Sequence, residues 1–322
     1  MGKFIVGLVA TGLAAFFGAK WKMENDVADA VDMMVMMSSP YADVQYDGVT
    51  STLTGELTVD GIRINIHGID EEITIGRFGI DTPSFLSLMK LNDVDTYWAG
   101  SEEEILPSYF GVIIEHVRMP TDGDIARQSY RERLEELGIE GEIETGAACT
   151  GRYGFSPSAF RELGYYEFDM SMSMRFRDMG SRYSVEVEAE NAGVVSINGE
   201  MILAGDMVAE FAKGPRYRPK LDELRIEYID HSHNERVAEY CRRLGLSDEE
   251  VFAAQMDTFK FMGAEMGIEF DEYVLEPLAE FLDGGSTLTF TANPNEPVTI
   301  SQITLYKPSD VPALLQLSAE AR

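Results

Sequence analysis

Alternating apolar and polar positions run through much of the chain and predict strands that are apolar on one face. The stretch STLTGELTVDGIRINIHG, residues 51–68, places an Asp60-Gly61 pair between two such runs. Asp-Gly is the strongest two-residue hairpin signal, because a type I′ turn needs positive φ at both central residues. With a turn there, one face carries the side chains of Leu57, Val59, Ile62 and Ile64. Such a face must contact a second sheet, a helix or a lipid.

The same alternation returns in the second half of the chain. In YEFDMSMSMRFRD, Met170, Met172 and Met174 alternate with serine and arginine, and RYSVEVEAENAG and DELRIEYID repeat the pattern. The segment GVVSINGEMIL predicts two short strands around Asn198-Gly199. Together these segments predict a meander of antiparallel strands, each with one apolar and one polar face.

After Asp230 the apolar spacing becomes helical. NERVAEYCRRLG, SDEEVFAAQMDTFKFMGAEMG and PLAEFLDGG predict three helices, and the second begins with a capping box formed by Ser247 and Glu250. Strands return in STLTFTANP and VTISQITLY. The helices therefore predict an insertion before the final strands, or a cap over one end of the sheet.

The N-terminus carries an uncharged run from Phe4 to Ala19, followed by Lys20, Trp21 and Lys22. This run is slightly shorter than the roughly 20 residues that span a bilayer, but Trp and Lys at the interface can extend it. A cleaved signal peptide is the alternative, although Phe17 stands where cleavage after Ala19 needs a small residue. We therefore favour an uncleaved anchor over cleavage, and over a structural first helix of a cytoplasmic protein.

These patterns predict an α+β protein with a mainly antiparallel curved sheet that forms a groove or a half-barrel. A C-terminal helical cap and an N-terminal transmembrane helix complete the predicted fold. The predicted segments are a signal anchor at 1–22, a β-rich domain at 23–230, a helical insertion or cap at 231–284, and returning strands with a C-terminal tail at 285–322.

The net charge of the chain limits the classes of partner that it is expected to bind. Its 322 residues include 56 Asp and Glu against 26 Lys and Arg, for a formal net charge of −30. Such a surface repels nucleic acid and anionic membrane surfaces, so nucleic acid is not an expected partner. The acidity fits a salt-adapted organism, where salt screens the repulsion. An acidic extracytoplasmic protein is the alternative.

The sequence leaves open whether its two cysteines are free thiols or form a disulfide. Cys149 and Cys241 show neither CxxC nor metal-ligand spacing. Cys241 lies on a predicted helix, where a buried free thiol is the favoured interpretation. A disulfide to Cys149 is the alternative if this part of the chain is exported.

The sequence contains no motif that identifies a reaction, so we predict no catalytic residues and no cofactor. The glycine-rich segment ETGAACTGRYG lacks the spacing of a phosphate-binding loop. In DHSHNE, His231 and His233 could form a metal pair, but no third ligand is identified. We therefore predict no metal, and we favour Asp230 or Asn234 as a helix N-cap.

A basic segment, KGPRYRPK, stands out in this acidic chain. Arg216, Arg218 and Lys220 could contact a lipid headgroup or an acidic partner, because guanidinium groups bind phosphates well. A solvated proline-rich loop is the alternative.

The start of the chain resembles a known class of envelope proteins. An N-terminal anchor followed by YDGVTSTLTGELTVDGIRI and ITIGRFGIDTPSFLSL resembles the beginning of AsmA-like proteins. The closing GSTLTFTANPNEPVTI is similar in style to uncharacterised membrane-anchored bacterial proteins of that type. The resemblance implies a long curved antiparallel sheet whose groove holds acyl chains or passes them across the periplasm.

From these observations we expect an inner-membrane protein with a single N-terminal pass and its bulk in the periplasm. We expect it to bind membrane lipid or acyl chains, in lipid transport or envelope homeostasis. The alternative is a structural or assembly subunit of an envelope protein complex without lipid cargo. A third option, an envelope hydrolase, would need a polar cleft of carboxylates. The predicted lipid-contacting residues are Leu57, Val59, Ile62, Ile64, Met170, Met172 and Met174.

Overall fold

The computed structural model describes residues 2–92, 107–136, 138, 149, 156–191, 193–207 and 218–322. The side chains of residues 2–17, 90–92 and 304 are outside this description. The chain divides into two compact units, residues 1–116 and 117–322.

The first unit begins with a long helix and continues with strands. Its elements are α1 (Gly2–Ser38), β1 (Ala42–Gln45), β2 (Gly48–Ser51), β3 (Glu56–Ile66), β4 (Glu72–Asp81) and α2 (Phe85–Asn92). The next strand, β5 (Tyr109–Pro120), starts in the first unit and ends in the second. In the first unit the strand order is β1-β3-β4-β5, with β2 also paired to β3.

The second unit places three helices between its strands β9 and β10. Its helices are α3 (Asp124–Glu136), α4 (Pro157–Glu162), α5 (His233–Arg243), α6 (Asp248–Glu265), α7 (Glu272–Leu282) and α8 (Val311–Leu315). Its strands are β6 (Glu167–Asp178), β7 (Arg182–Asn191), β8 (Val195–Ala204), β9 (Lys220–Asp230), β10 (Thr287–Ala292), β11 (Val298–Thr299) and β12 (Ser318–Ala321). The order is β6-β7-β8-β9-β10-β12, with β11 also paired to β9.

The prediction of an α+β protein with a mainly antiparallel sheet is confirmed. The described strands form a twelve-stranded antiparallel sheet that does not close. The capping box of α6 is also present: Ser247 Oγ accepts a hydrogen bond from Glu250 N, and the Glu250 carboxylate accepts one from Ser247 N. The predicted start of the third helix, in PLAEFLDGG at Pro277, is wrong, because α7 begins at Glu272 and Pro277 lies inside it.

The predicted hairpin at Asp60-Gly61 is wrong, because β3 continues through both residues as one strand. β3 pairs with β4, with Asp60 opposite Arg77, and its other edge pairs with β1 and β2. Gly61 keeps the positive φ that the sequence predicted, 64°, and the Asp47 carboxylate occupies the place of its missing side chain. Partners on both edges keep Asp60 and Gly61 within one continuous strand, and a two-residue signal carries no information about them.

Two further local predictions are wrong for related reasons. The Asn198-Gly199 pair lies within the single strand β8, which is paired on one edge to β7 and on the other to β9. The segment VTISQITLY is a strand only at Val298–Thr299, and Ile300–Leu305 forms a 3-10 helix. A second 3-10 helix covers Pro308–Asp310. Alternation alone did not show where strand pairing ends.

A small core joins α1 and α2 to the sheet of the first unit. Met23, Phe85 and Leu88 are buried together, and Leu57 and Ile80 pack against them. We call these five residues the α1–α2 core. A Leu or Phe buried in this way contributes roughly 1.5–3 kcal/mol to stability.

Polar contacts hold α1 beside the end of β2. Glu24 forms an ion pair with Lys20 and accepts hydrogen bonds from the backbone N and the hydroxyl of Ser51, at 2.7 and 3.0 Å. Partial burial opposes ionisation of Glu24, but the hydrogen bonds from Lys20 and Ser51 outweigh it and hold its pKa below the ordinary value. The Glu24 carboxylate therefore stays charged at neutral pH and fixes α1 against β2.

The membrane anchor stays a prediction. Among the described residues, no helix has the length and apolar character needed to cross a membrane. Most of the run Phe4–Ala19 lies among residues whose side chains are outside the description.

The two cysteines form a disulfide, so the expectation of a free buried thiol at Cys241 is wrong. Cys149 and Cys241 have Cα atoms 5.7 Å apart and are separated by 92 residues. Both are buried in a cluster that includes Val237 and Tyr240 of α5. The burial of Cys241 was correctly expected, but its partner is brought to α5 only by the tertiary fold.

Gly55 offers a test of the packing between the β2–β3 turn and the start of α2. Its φ is 100°, and a Cβ would lie 2.5 Å from the Thr82 carbonyl oxygen. We expect Gly55→Ala to lower the free energy of unfolding by about 2–5 kcal/mol, because left-handed backbone costs about 1–2 kcal/mol and overpacking about 1–3 more. Urea denaturation measures the loss.

Gly68→Ala is the matched control. Gly68 also has positive φ, 86°, but a Cβ there would meet nothing within 4 Å. Its loss should be only about 1–2 kcal/mol. Equal losses for the two variants would contradict the close approach at Gly55.

Candidate functional site

The second unit gathers apolar side chains on one face of its strands. Met172 lies opposite Ala189, and Met174 lies opposite Val187. Ala189 lies in turn opposite Ile197 on β8. Because residues directly opposite each other in an antiparallel pair share a face, these rows form a continuous apolar surface across three strands.

Helices cover this face at β9, β10 and β12. Phe281 of α7 is buried against Leu288 of β10, and Phe259 of α6 stacks on Phe290 with ring centroids 5.8 Å apart. The Tyr228 ring of β9 meets Phe281 edge-on at 5.6 Å. Burial raises the pKa of Tyr228 far above its ordinary value. This end of the face is therefore an ordinary protein core.

Only part of this face is exposed over β6, β7 and β8, since Tyr183 and Val185 of β7 and Leu203 of β8 are buried farther along it. Met170, Met172 and Ile197 are 36–39% exposed, whereas Leu288 in the covered part is buried. Met is unbranched and polarizable, so it adapts to irregular apolar shapes. We call this surface the methionine face, and its residues are Met170, Met172, Met174, Val187, Ala189 and Ile197.

The opposite face of these strands is charged. Arg175 Nη1 lies 3.7 Å from Glu188 Oε1, and Arg177 Nη2 lies 3.7 Å from Glu186 Oε1. Ser173 Oγ donates a hydrogen bond to Glu188 Oε2 at 3.2 Å. Exposed pairs of this kind add little stability. They do keep this face hydrated, so the two faces of the sheet differ sharply in chemistry.

The other four predicted groove residues lie in β3 of the first unit. Leu57 packs in the α1–α2 core, and Val59 is buried opposite Val49 on β2. Ile62 and Ile64 are half-buried and lie opposite isoleucines of β4. Leu57 and Val59 thus serve a core, and the exposed methionine face is the stronger candidate for a ligand.

The structure describes only part of the predicted basic patch. Arg216 lies outside the described residues. Arg218 and Lys220 are exposed, and the Lys220 backbone pairs with Ala204 and Thr299 at the start of β9. A role for this patch in headgroup or partner binding stays a prediction.

The two histidines of DHSHNE are directed to different partners. The N-cap residue of α5 is Ser232, so the prediction of Asp230 or Asn234 at that position is wrong. The Asp230 carboxylate nevertheless accepts hydrogen bonds from His233 N and Asn234 N at 2.8 and 3.0 Å, at the start of the helix. His231 Nε2 is 2.6 Å from Ser196 Oγ, and the His233 ring stacks instead on Tyr165. Within the described ranges, no three or more His, Cys, Asp or Glu side chains are grouped to hold a metal ion.

Sequence reasoning missed half of the methionine face. Val187 and Ala189 were recognised as alternating residues but were not placed beside the methionines, and Ile197 was assigned to a short strand before a turn. The available signal was the equal length of the alternating runs, which allows β6 and β7 to pair along nearly their whole length. The register itself is not visible in either strand alone.

Comparison with known proteins gives little further information. A family model described as "Uncharacterized protein" matches residues 184–322, which contain most of β7 and the part of the second unit that follows it. No curated protein and no solved structure matches the chain. The family description assigns no activity and names no AsmA-like protein, and the sequence shows no catalytic motif.

The contacts of the half-buried His233 predict that the stability of the fold depends on pH. The centroid of the His233 ring lies 6.2 Å from that of the Tyr165 ring. The Arg236 guanidinium also lies over the Tyr165 ring, 4.9 Å from its centroid. Desolvation lowers the pKa of His233 below its ordinary value, and the Asp230 carboxylate opposes this only in part. The folded state therefore binds a proton at His233 less readily than the unfolded state.

The free energy of unfolding should consequently fall as the pH drops below about 6.5, the ordinary histidine value, toward the lower folded pKa. Urea denaturation between neutral and mildly acidic pH measures this slope. His233→Phe should keep the ring stacking and remove this component of the slope, whereas the exposed-site variant His231→Asn should retain it. Identical slopes in the His233→Phe variant and the unmodified protein would refute the assignment.

Proposed function

We propose that this chain is a membrane-anchored protein of the bacterial envelope, with its bulk in the periplasm, and that it binds lipid acyl chains on the methionine face. The observation that carries the proposal is the exposure of Met170, Met172 and Ile197 on a face that helices cover elsewhere. A contiguous exposed apolar surface marks a site of interaction. A role in lipid transport or envelope homeostasis follows from this binding.

An acyl chain suits the chemistry of this face. Binding of hydrocarbon needs no directed polar partner, and each CH2 group removed from water is worth about 0.8 kcal/mol. The rows of Met172 with Ala189 and of Met174 with Val187 offer a continuous apolar track across neighbouring strands. Flexible methionines can adjust to chains of different length and unsaturation.

The disulfide supports a location outside the cytoplasm. Disulfides persist in oxidising compartments and are rare in the cytosol, where thiols are kept reduced. The Cys149–Cys241 bond therefore agrees with export, as does the apolar run at the N-terminus.

A structural or assembly subunit is the second candidate, since an exposed apolar sheet face also suits a protein partner. That function predicts a stoichiometric protein bound to the methionine face and no lipid. The experiment below separates the two candidates.

The double variant Met170→Asn/Met172→Asn tests lipid binding. We expect it to lose most of the phospholipid that copurifies with the full chain after mild detergent extraction, because two apolar side chains of the track become polar. Native mass spectrometry and lipid extraction measure the bound lipid per chain.

The double variant Ser171→Asn/Ser173→Asn is the control. It introduces two Asn residues on the same strand but on the charged face. Any destabilisation of β6 by the low strand propensity of Asn is therefore the same in both double variants. Lipid should be retained. Equal lipid in both double variants, or a protein partner in place of lipid, would overturn the acyl-chain proposal.

The redox state in cells tests export. We expect the Cys149–Cys241 bond to be formed in cells whose thiols are alkylated before lysis, and non-reducing gel electrophoresis detects it. Cys241→Ser removes the mobility difference and is the control. When secretion is blocked, newly made protein should carry free thiols. A disulfide that forms equally well with secretion blocked would argue against export.

A further inference from the structure

Large apolar side chains are strongly exposed at two places in the first unit. One group, Met33, Met34, Met36, Met37 and Tyr41, lies at the C-terminal end of α1, and the other consists of three residues. Trp21 of α1 is 70% exposed, Leu53 of the β2–β3 turn is 68% exposed, and Leu86 of α2 is 71% exposed. They come from three separate segments of the chain. Such exposure has a cost in water, because burying a Leu side chain is worth roughly 1.5–3 kcal/mol.

Hydrogen bonds bring these three segments to one end of the first unit. Lys20, next to Trp21, donates from Nζ to the Ser51 carbonyl oxygen at 2.7 Å. The backbone N of Phe85, next to Leu86, donates to the Leu53 carbonyl oxygen at 3.3 Å. The α1–α2 core lies beneath these contacts. We call Trp21, Leu53 and Leu86 the apolar tip.

Followed toward its N-terminus, α1 runs to the end of the first unit that carries the apolar tip. Residues 20–24 of α1 lie beside Ser51, whereas Tyr46 Oη donates to Asp32 Oδ1 at 2.7 Å further along the helix. From Asp32 back to Lys20, α1 therefore runs toward the β2–β3 turn. Upstream of Lys20 the helix continues in the same direction, and its sequence there is the run Phe4–Ala19.

We propose that the apolar tip docks into the headgroup interface of the lipid bilayer that holds the N-terminal anchor. This inference rests on the proposed function, because it needs the run Phe4–Ala19 to be in a membrane. Trp is enriched at membrane interfaces, where its ring fits the boundary between headgroups and acyl chains. Lys22 beside Trp21 can reach the phosphates by extending its side chain.

The bilayer is the occupant that the geometry favours. The leucines stand at the end of the unit from which the anchor leaves, so a membrane that holds the anchor lies next to them. Contact between the leucines and the membrane would set the tilt of the first unit on the membrane surface. The C-terminal end of β3 would then point away from the membrane. A strand of eleven residues that rises about 3.3 Å per residue places this end about 33 Å from the end beside the apolar tip.

Site-directed fluorescence tests this proposal on the full chain. Leu53→Cys and Leu86→Cys are labelled with an environment-sensitive fluorophore, and the native cysteines are occupied by their disulfide. The protein is reconstituted into phosphatidylcholine vesicles that contain lipid brominated near the carbonyl end of its acyl chains. Asp70→Cys, in the exposed turn after β3, is the matched control.

We expect a blue shift and strong bromolipid quenching at positions 53 and 86, and neither at position 70. Flotation of the vesicles is measured in the same samples. If the protein floats with the vesicles but labels at 53 and 86 behave like the label at 70, docking of the tip is overturned while the anchor stands. If the protein does not float, the anchor fails and the docking proposal fails with it.

Discussion

The cross-strand register of β6, β7 and β8 is the constraint on which the candidate site depends. Met172, Ala189 and Ile197 form one row because the antiparallel pairs align them. A slip of one residue would place glutamates of β7, or serine and asparagine of β6 and β8, in that row. The ion pairs on the other face, such as that between Arg177 and Glu186, disfavour the same slip. Apolar rows and charged pairs therefore specify one register together.

The helices of the second unit divide a chemically uniform face into two parts. Phe259 and Phe281 make the surface over β9 and β10 a core, while Met170, Met172 and Ile197 on β6 and β8 stay partly in contact with solvent. An apolar face of this kind is unfavourable in water unless something else covers it. The composition of the exposed part, rich in methionine, suits a variable hydrocarbon ligand better than a single fixed partner.

Both proposals concern lipid, but they involve different surfaces and different physics. The methionine face would take single acyl chains by removing apolar area from water. The apolar tip would contact the headgroup interface of the bilayer through a Trp ring and two leucines, at the end where α1 enters the first unit. Each surface belongs to its own compact unit, so a change in one can be examined without assuming anything about the other.

Much of the secondary structure could be predicted from the sequence. Alternation placed β6 and β7, and a capping box placed the start of α6 at Ser247, because these signals act between near neighbours in the chain. The failures came where distant partners decide the outcome. The Asp60-Gly61 and Asn198-Gly199 pairs are turn signals in isolation, yet strands paired on both edges keep each pair within one continuous strand.

The sequence by itself determined that the strands would be apolar on one face, since a period of two needs only the local backbone. It also determined the acidity of the surface and the burial of Cys241. Only the tertiary structure decided that Cys149 meets Cys241, that Leu57 and Val59 serve a core, and that α6 and α7 leave the methionine face exposed. Those outcomes depend on contacts between residues far apart in the chain, and no local pattern encodes which of several apolar surfaces a helix will cover.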